Sequence, residues 1–378
     1  MKKNLYCMYG IALLQGMVFY APIATLYRQT RGVSIFQMGL IESVFLALTI
    51  LLELPWGVIA DRFGYRNTLL ISNMIYFISK LVFWQATGFW WFFAERILLA
   101  ISIAGLSGCD SAYLFLAAKG KNTTKIFGIY DPAGTAGMLF AAAVFTLLLG
   151  ANDALAGFAT TIPYFISVVL TVFLDDLQPE QKNKSKTPRY QELFLMLWQD
   201  KRFFLFLAAS MLLTESHQAI TVFLSQIQYV QTGLSQRGIG AAFLLVTIMG
   251  LMSVFSGKLE RRFGTHRFGM TLFSVAICAC ALLALTHSAW LSVLGILLLR
   301  MAAALFIPLG TSIQNKQIKT QERATMLSAY AACMRGGAIL INLLLMRLAQ
   351  SSIRYAMAAG VIFCMTGMIL YRKWQKTR

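Results

Sequence analysis

Twelve times along the chain, apolar residues run for about twenty positions before a short polar or glycine-containing segment closes the run. A helix of that length crosses the roughly 30 Å hydrocarbon core of a bilayer, and in the absence of water its backbone groups find their partners within the helix itself. The pattern predicts spans near 4–27, 36–60, 67–87, 90–116, 126–149 and 153–174, then near 203–228, 237–260, 268–288, 290–314, 324–348 and 353–373. Residues 175–202, which include Gln178-Pro-Glu-Gln-Lys-Asn-Lys-Ser-Lys-Thr-Pro188, are too charged for lipid and read as a linker. The expected architecture is an all-α membrane protein of twelve transmembrane helices in two pseudo-symmetric six-helix bundles, 1–174 and 203–378, joined by that linker.

Composition supports this picture and narrows the classes. Of 378 residues, 58% are hydrophobic and 13% charged, against about half and a quarter in soluble domains. The net charge of +18 invites a nucleic-acid reading, but the bases are scattered among short loops instead of forming one soluble face, so no nucleic-acid partner is expected. Most of them fall in alternate loops: Lys2, Lys3, Arg62, Arg66, Lys119, Lys121 and Lys125, the linker, Lys258, Arg261, Arg262, Arg267, Lys316, Lys319 and Arg323, and the C-terminal tail. By the positive-inside rule both termini are expected in the cytoplasm, with the protein multi-pass in the cell membrane. The six cysteines, at 7, 109, 278, 280, 333 and 364, sit in apolar stretches without metal-type spacing; neither a disulfide nor a metal site is expected. Met-Lys-Lys followed by an apolar run without a small-residue cleavage site reads as a retained first span.

One polar stretch punctuates the first half: Gly57-Val-Ile-Ala-Asp61-Arg62-Phe-Gly64-Tyr-Arg66, expected to be a short turn reversing the chain at the membrane surface. It recurs in weaker form about 200 positions later as Gly257-Lys258-Leu259-Glu260-Arg261-Arg262-Phe263-Gly264. At a similar offset Arg96 falls on Arg300, Tyr130 on Tyr330 and Asp131 on Arg335, so each half is expected to be one copy of a six-span unit.

The string G-x-x-x-D-R-x-G-x-R between two spans resembles the loop between spans two and three of the major facilitator superfamily, and the degraded copy falls between spans eight and nine as in that family. The resemblance covers nearly the whole chain. It implies two halves rocking about a central site and a conformational latch made by Gly57, Asp61, Arg62, Gly64 and Arg66, with Glu53 beside it. Gly57 would allow close approach of spans, Gly64 the tight reversal, and the charges would meet a helix terminus of the other half. An acid frequent in the family at the inner end of span four is replaced here by Ala117-Ala118-Lys119.

Charges inside spans are costly in hydrocarbon and mark function by default. Arg96, in Glu95-Arg96-Ile-Leu-Leu-Ala100, resembles the span-four arginine of the family. On an unbroken helix Arg96, Ala100, Ile103, Ser107 and Asp110 would share one stripe, and the second half repeats the spacing with Arg300 and Gln314. Glu215 is mid-span in helix seven, with Gln218 and Gln226 near the same face, His217 on the opposite side and Gln15 at the matching place in span one. Two readings stay open for Glu215: a proton or cation site, or a structural partner of Arg300 or Arg335. Asp131, in Asp131-Pro132-Ala-Gly134-Thr-Ala-Gly137, matches Arg335; the glycines serve either bending or close packing. Lys80 is expected to pair with Glu42 or Glu95.

These residues point to a secondary active transporter of the drug-efflux-like branch, exporting small amphipathic or cationic compounds in exchange for protons. Proton-coupled import of a small metabolite or sugar is the alternative, and a non-transporting membrane sensor the alternative of another class. No nucleophile motif, phosphate loop or metal motif is present, so no catalytic residue, enzyme activity or cofactor is expected. The partners expected are a small-molecule substrate, protons and the lipid bilayer, with the chain acting as a monomer.

Overall fold

A computed structural model describes residues 2–118, 123–150, 152–177, 201–317 and 323–376. Among them every regular element is helical. The first six spans are built from α1 (Lys2–Gly16) and α2 (Ala24–Thr30), α3 (Ile35–Phe63), α4 (Tyr65–Gln85), α5 (Gly88–Leu106) with α6 (Cys109–Ala118), α7 (Thr123–Val144) and α8 (Asp153–Val172). The next six are α9 (Lys201–Gln218) with α10 (Ser225–Gln231), α11 (Gln236–Gly250) with α12 (Ser256–Phe263), α13 (Thr265–Leu285), α14 (Ala289–Gln317), α15 (Arg323–Ser351) and α16 (Ile353–Lys376).

Eleven of these spans are long and apolar enough to cross a membrane. The twelfth, α4, has the length but carries Thr68, Ser72, Asn73, Ser79 and Lys80, all of them buried within the protein. Its low apolarity reflects polar groups that face neighbouring helices, not water.

The chain divides into two compact units. One comprises Met1–Val33, Val44–Lys186 and Gln236–Leu244; the other comprises Ser34–Ser43, Thr187–Ser235 and Leu245–Arg378. In the first, α4 packs on α5 and α8, and α1 on α7 and α8. In the second, α13 packs on α14 and α16, and α9 on α15 and α16. The packing scheme is the same in both, as an internal repeat requires. The linker proposed at 175–202 lies, from residue 178 to 200, outside the described residues.

Four local expectations need correction. The motif at 57–66 is not a ten-residue turn: α3 continues through Phe63, the Gly64 N–H bonds to Ala60 O at 3.0 Å, and one residue, Gly64, reverses the chain at φ 85°. Gly264 does the same in the second copy at φ 77°, a conformation that glycine adopts without a Cβ clash. Gly57 makes no close approach, since a Cβ there would meet nothing within 4 Å. The stripe from Arg96 to Asp110 is interrupted, because α5 ends at Leu106 and Gly108, at φ 81°, starts a new direction before α6. Glu215 and Gln226 do not share a helical face: a π-type segment, Ala219–Leu224, lies between them and alters the register.

For Gly134 and Gly137 close packing is what the structure shows. A Cβ on Gly16 would fall on the carbonyl of Gly134, and one on Gly137 on the carbonyl of Leu13. The α1–α7 contact is therefore backbone against backbone, the small-residue mode of helix association in lipid.

Candidate transport sites

In the first unit, α1, α4, α5, α6 and α7 surround a cavity of about 40 Å³ lined by Met8, Ile11, Gln15, Leu69, Asn73, Leu106, Asp110 and Tyr130. Its polar wall is a chain of hydrogen bonds. Gln15 Nε2 donates to Asn73 Oδ1 at 2.6 Å, Asn73 Nδ2 to Thr171 Oγ1 at 2.8 Å, and Thr171 Oγ1 to Ser167 O at 2.7 Å. On the other side Tyr130 Oη donates to Asp110 Oδ2 at 3.2 Å, while Asp110 Oδ1 accepts from Ser111 N at 2.6 Å. The break before α6 places Asp110 in that helix's first turn, where the free N–H groups and the dipole favour a negative charge. Gln15 and Asp110 are thus brought together; Asn73 and Tyr130 complete the wall. Asn73 was legible only as one of several polar residues along α4.

A second polar cluster of this unit is buried. Arg28, on α2 and only 4% exposed, reaches Glu95 at 3.9 Å. Glu95 is thus within ion-pair reach of Arg28, while Lys80 makes no ion pair among the described residues: its Nζ donates to Tyr20 Oη at 3.1 Å. Arg96 lies over the Phe45 ring, 5.4 Å from its centroid. Asp131 is exposed.

In the second unit Glu215 is half-buried and makes no ion pair among the described residues; the charge acting on it is that of Glu42. Arg300 faces His217, Nη1 to Nε2 at 3.5 Å, so His217 packs against one of the two bases that the sequence offers as partners of Glu215. Gly250 makes room for that arginine, because a Cβ there would come within 2.5 Å of Arg300 Nη2. Gln218 is exposed, Gln226 is buried and bonds back to Val222 O at 3.3 Å, and Arg335 is half-buried on α15. Gln314 Nε2 lies 3.6 Å from Met334 Sδ.

Of the loop motif, Arg66 engages a helix terminus of its own unit, donating from Nη2 to Val172 O at 2.8 Å. Arg62 is exposed and Glu53 half-buried on α3. The side chain of Asp61 lies outside the described residues. In the second copy Glu260 Oε1 accepts from Thr265 Oγ1 at 2.9 Å.

Two repeated units of long apolar helices with polar residues inside the spans define a polytopic membrane protein. The family model of the Major Facilitator Superfamily matches residues 5–340 and 231–377, and the chain belongs to that family. It is 25% identical over 147 residues to solute carrier family 2, facilitated glucose transporter member 10, of Xenopus tropicalis, a stretch covering 38% of this chain and 25% of that protein. It is 24% identical over 190 residues to Multidrug resistance protein 2 of Bacillus subtilis (strain 168), covering 48% of this chain and 46% of that one. The chain thus spans a quarter to about half the length of these curated relatives. Among solved structures it resembles the nucleoside transporter NupG, with a TM-score of 0.80 at 18% identity over 99% of this chain and 98% of that one. A D-xylose-proton symporter gives a TM-score of 0.73 at 15% identity, covering 98% and 97%. At these identities the structural likeness establishes the fold.

Proposed function

We propose that this chain is a proton-coupled secondary active transporter of the cell membrane, with both termini in the cytoplasm, acting as a monomer and exporting small amphipathic or cationic compounds by alternating access. The observation that carries the coupling is Glu215, a half-buried carboxylate inside a span, without an ion pair among the described residues and under the influence of a second acid, Glu42. A carboxylate inside a span that has no ion pair can exchange a proton as its surroundings change. Asp110, at the rim of the Gln15–Asn73 cavity, supplies an acid in the first unit. The likeness to a multidrug resistance protein supports export. Import of a sugar or nucleoside is the second reading, favoured by the likeness to a glucose transporter.

Everted vesicles given external ethidium test this. Export predicts uptake that an uncoupler abolishes, and Glu215→Gln should remove gradient-driven uptake while the protein still inserts and folds. Uptake indifferent to the uncoupler sinks proton coupling. Accumulation of uridine or xylose by right-side-out vesicles, with no ethidium uptake by everted ones, replaces export with import.

A further inference from the structure

Span one is not a continuous helix. α1 stops at Gly16, the chain turns through Met17–Tyr20, and a 3₁₀ turn over Ala21–Ile23 leads into α2. The turn is held by Val18 N to Gly16 O at 2.9 Å and by the Phe19 N–H, which donates to Thr160 Oγ1 on α8 at 3.0 Å. Irregular backbone within a span persists only where it is enclosed by protein or lines a polar cavity, and broken spans are where transporters build their solute sites.

At this break sits Lys80. The residue is 4% exposed, so its ammonium does not reach the membrane surface along its stem. It lies over three tyrosine rings, 5.0 Å from the centroid of Tyr76, 5.3 Å from Tyr164 and 5.7 Å from Tyr20. An ammonium has three N–H donors, and among the described residues one is used, on Tyr20 Oη. Tyr20 Oη accepts that bond, which leaves its own O–H proton to donate, and Tyr20 is 5% exposed. The Tyr164 hydroxyl is spent on Gln15 O at 2.6 Å, and Gln15 lines the neighbouring cavity. Glu95 is held by Arg28. What collects here is two bases, Lys80 and Arg28, around one buried carboxylate, Glu95, with two N–H groups of the ammonium unmatched among the described residues; burying such a surplus of positive donors is expensive.

We propose that Lys80 and the Tyr20 hydroxyl, at the broken turn of span one, form a binding point for an anionic oxygen, a carboxylate or a phosphate, carried by the transported solute. The tyrosine faces hold the ammonium in place while the solute is absent, and the anion takes up the two free N–H groups and the Tyr20 O–H on arrival. This rests on reading the chain as a solute transporter and, of the compounds proposed above, selects amphipathic ones bearing an acid group over cations such as ethidium.

The test is binding to the purified full chain in detergent, read by the shift in thermal unfolding with benzoate, phenyl phosphate, inorganic phosphate and the neutral control benzamide. Benzoate or phenyl phosphate should bind at least about tenfold more tightly than benzamide, the gain expected of charge-assisted hydrogen bonds. Lys80→Met should erase that preference, and Lys80→Gln serves the same purpose if the Met variant does not fold; Lys80→Arg should keep it in part. A carboxylate-only or phosphate-only preference assigns the anion. Equal binding of benzoate and benzamide by the wild type, or a preference that survives loss of the charge, overturns the proposal. Anion binding without transport of any solute would instead defeat the transporter reading and leave this site standing.

Discussion

Arg66 donates from Nη2 to the carbonyl of Val172 at 2.8 Å, which ties the first turn of α4 to the last turn of α8. The carbonyls at a helix C-terminus lack intrahelical partners and carry the negative end of the dipole, so a guanidinium there satisfies both. Arg66→Gln is expected to lower stability by about 1 kcal/mol, measured by thermal unfolding of the purified protein. An unchanged unfolding temperature would show that the contact contributes nothing.

The α1–α7 seam makes a steeper prediction. With Gly137 facing the Leu13 carbonyl, no side-chain rearrangement makes room for a larger residue, and the helices themselves must separate. Gly137→Leu should cost about 3 kcal/mol and sharply reduce the monodisperse fraction on size exclusion, whereas Gly57→Ala should be silent. A well-behaved Gly137→Leu protein would remove the close-packing account.

Asp61 falls in the last turn of α3, the end of a helix where the dipole disfavours an acid and favours the neighbouring Arg62. The latch role is what the resemblance of this loop to the family's implies for it. Asp61→Asn should leave insertion and yield intact and remove most of the transport measured in vesicles, with a smaller loss for Glu260→Gln. Full transport at normal expression would end the latch reading of this loop.

Asp175 provides a pH test outside the membrane. Its carboxyl is held below the usual 3.8, chiefly by the hydrogen bond from Lys3 at 3.2 Å. A depressed carboxyl stabilises the fold above its ordinary titration range, and that contribution disappears as pH falls through the lowered value. The unfolding temperatures of wild type and Asp175→Asn should therefore differ slightly at pH 7 and converge as pH falls well below 3.8. Because both groups are exposed, high salt at pH 7 should shrink the gap as well. A difference that persists at low pH would assign it to something other than this ion pair.

What the sequence determined by itself was everything set by the bilayer. Runs of about twenty apolar residues admit only helices, a fixed offset between repeated glycines and arginines implies duplicated units, and Gly64 marks a reversal because no other residue takes that φ freely. The sites were only half legible, since partners inside a bundle come from helices distant in sequence. Nothing in the run around Lys80 says that Tyr20 and Tyr164 lie against it, and nothing near Arg28 says that it is buried on Glu95. The breaks were hidden too: Gly108 and the Ala219–Leu224 segment each re-aim a face that a continuous 3.6-residue period would have carried straight on, separating Arg96 from Asp110 and Glu215 from Gln226. Hydropathy fixes which segments cross, because it depends on each residue's own solvation. Pairing of charges depends on helix packing and on local departures from regularity, and those exist only once the helices have come together.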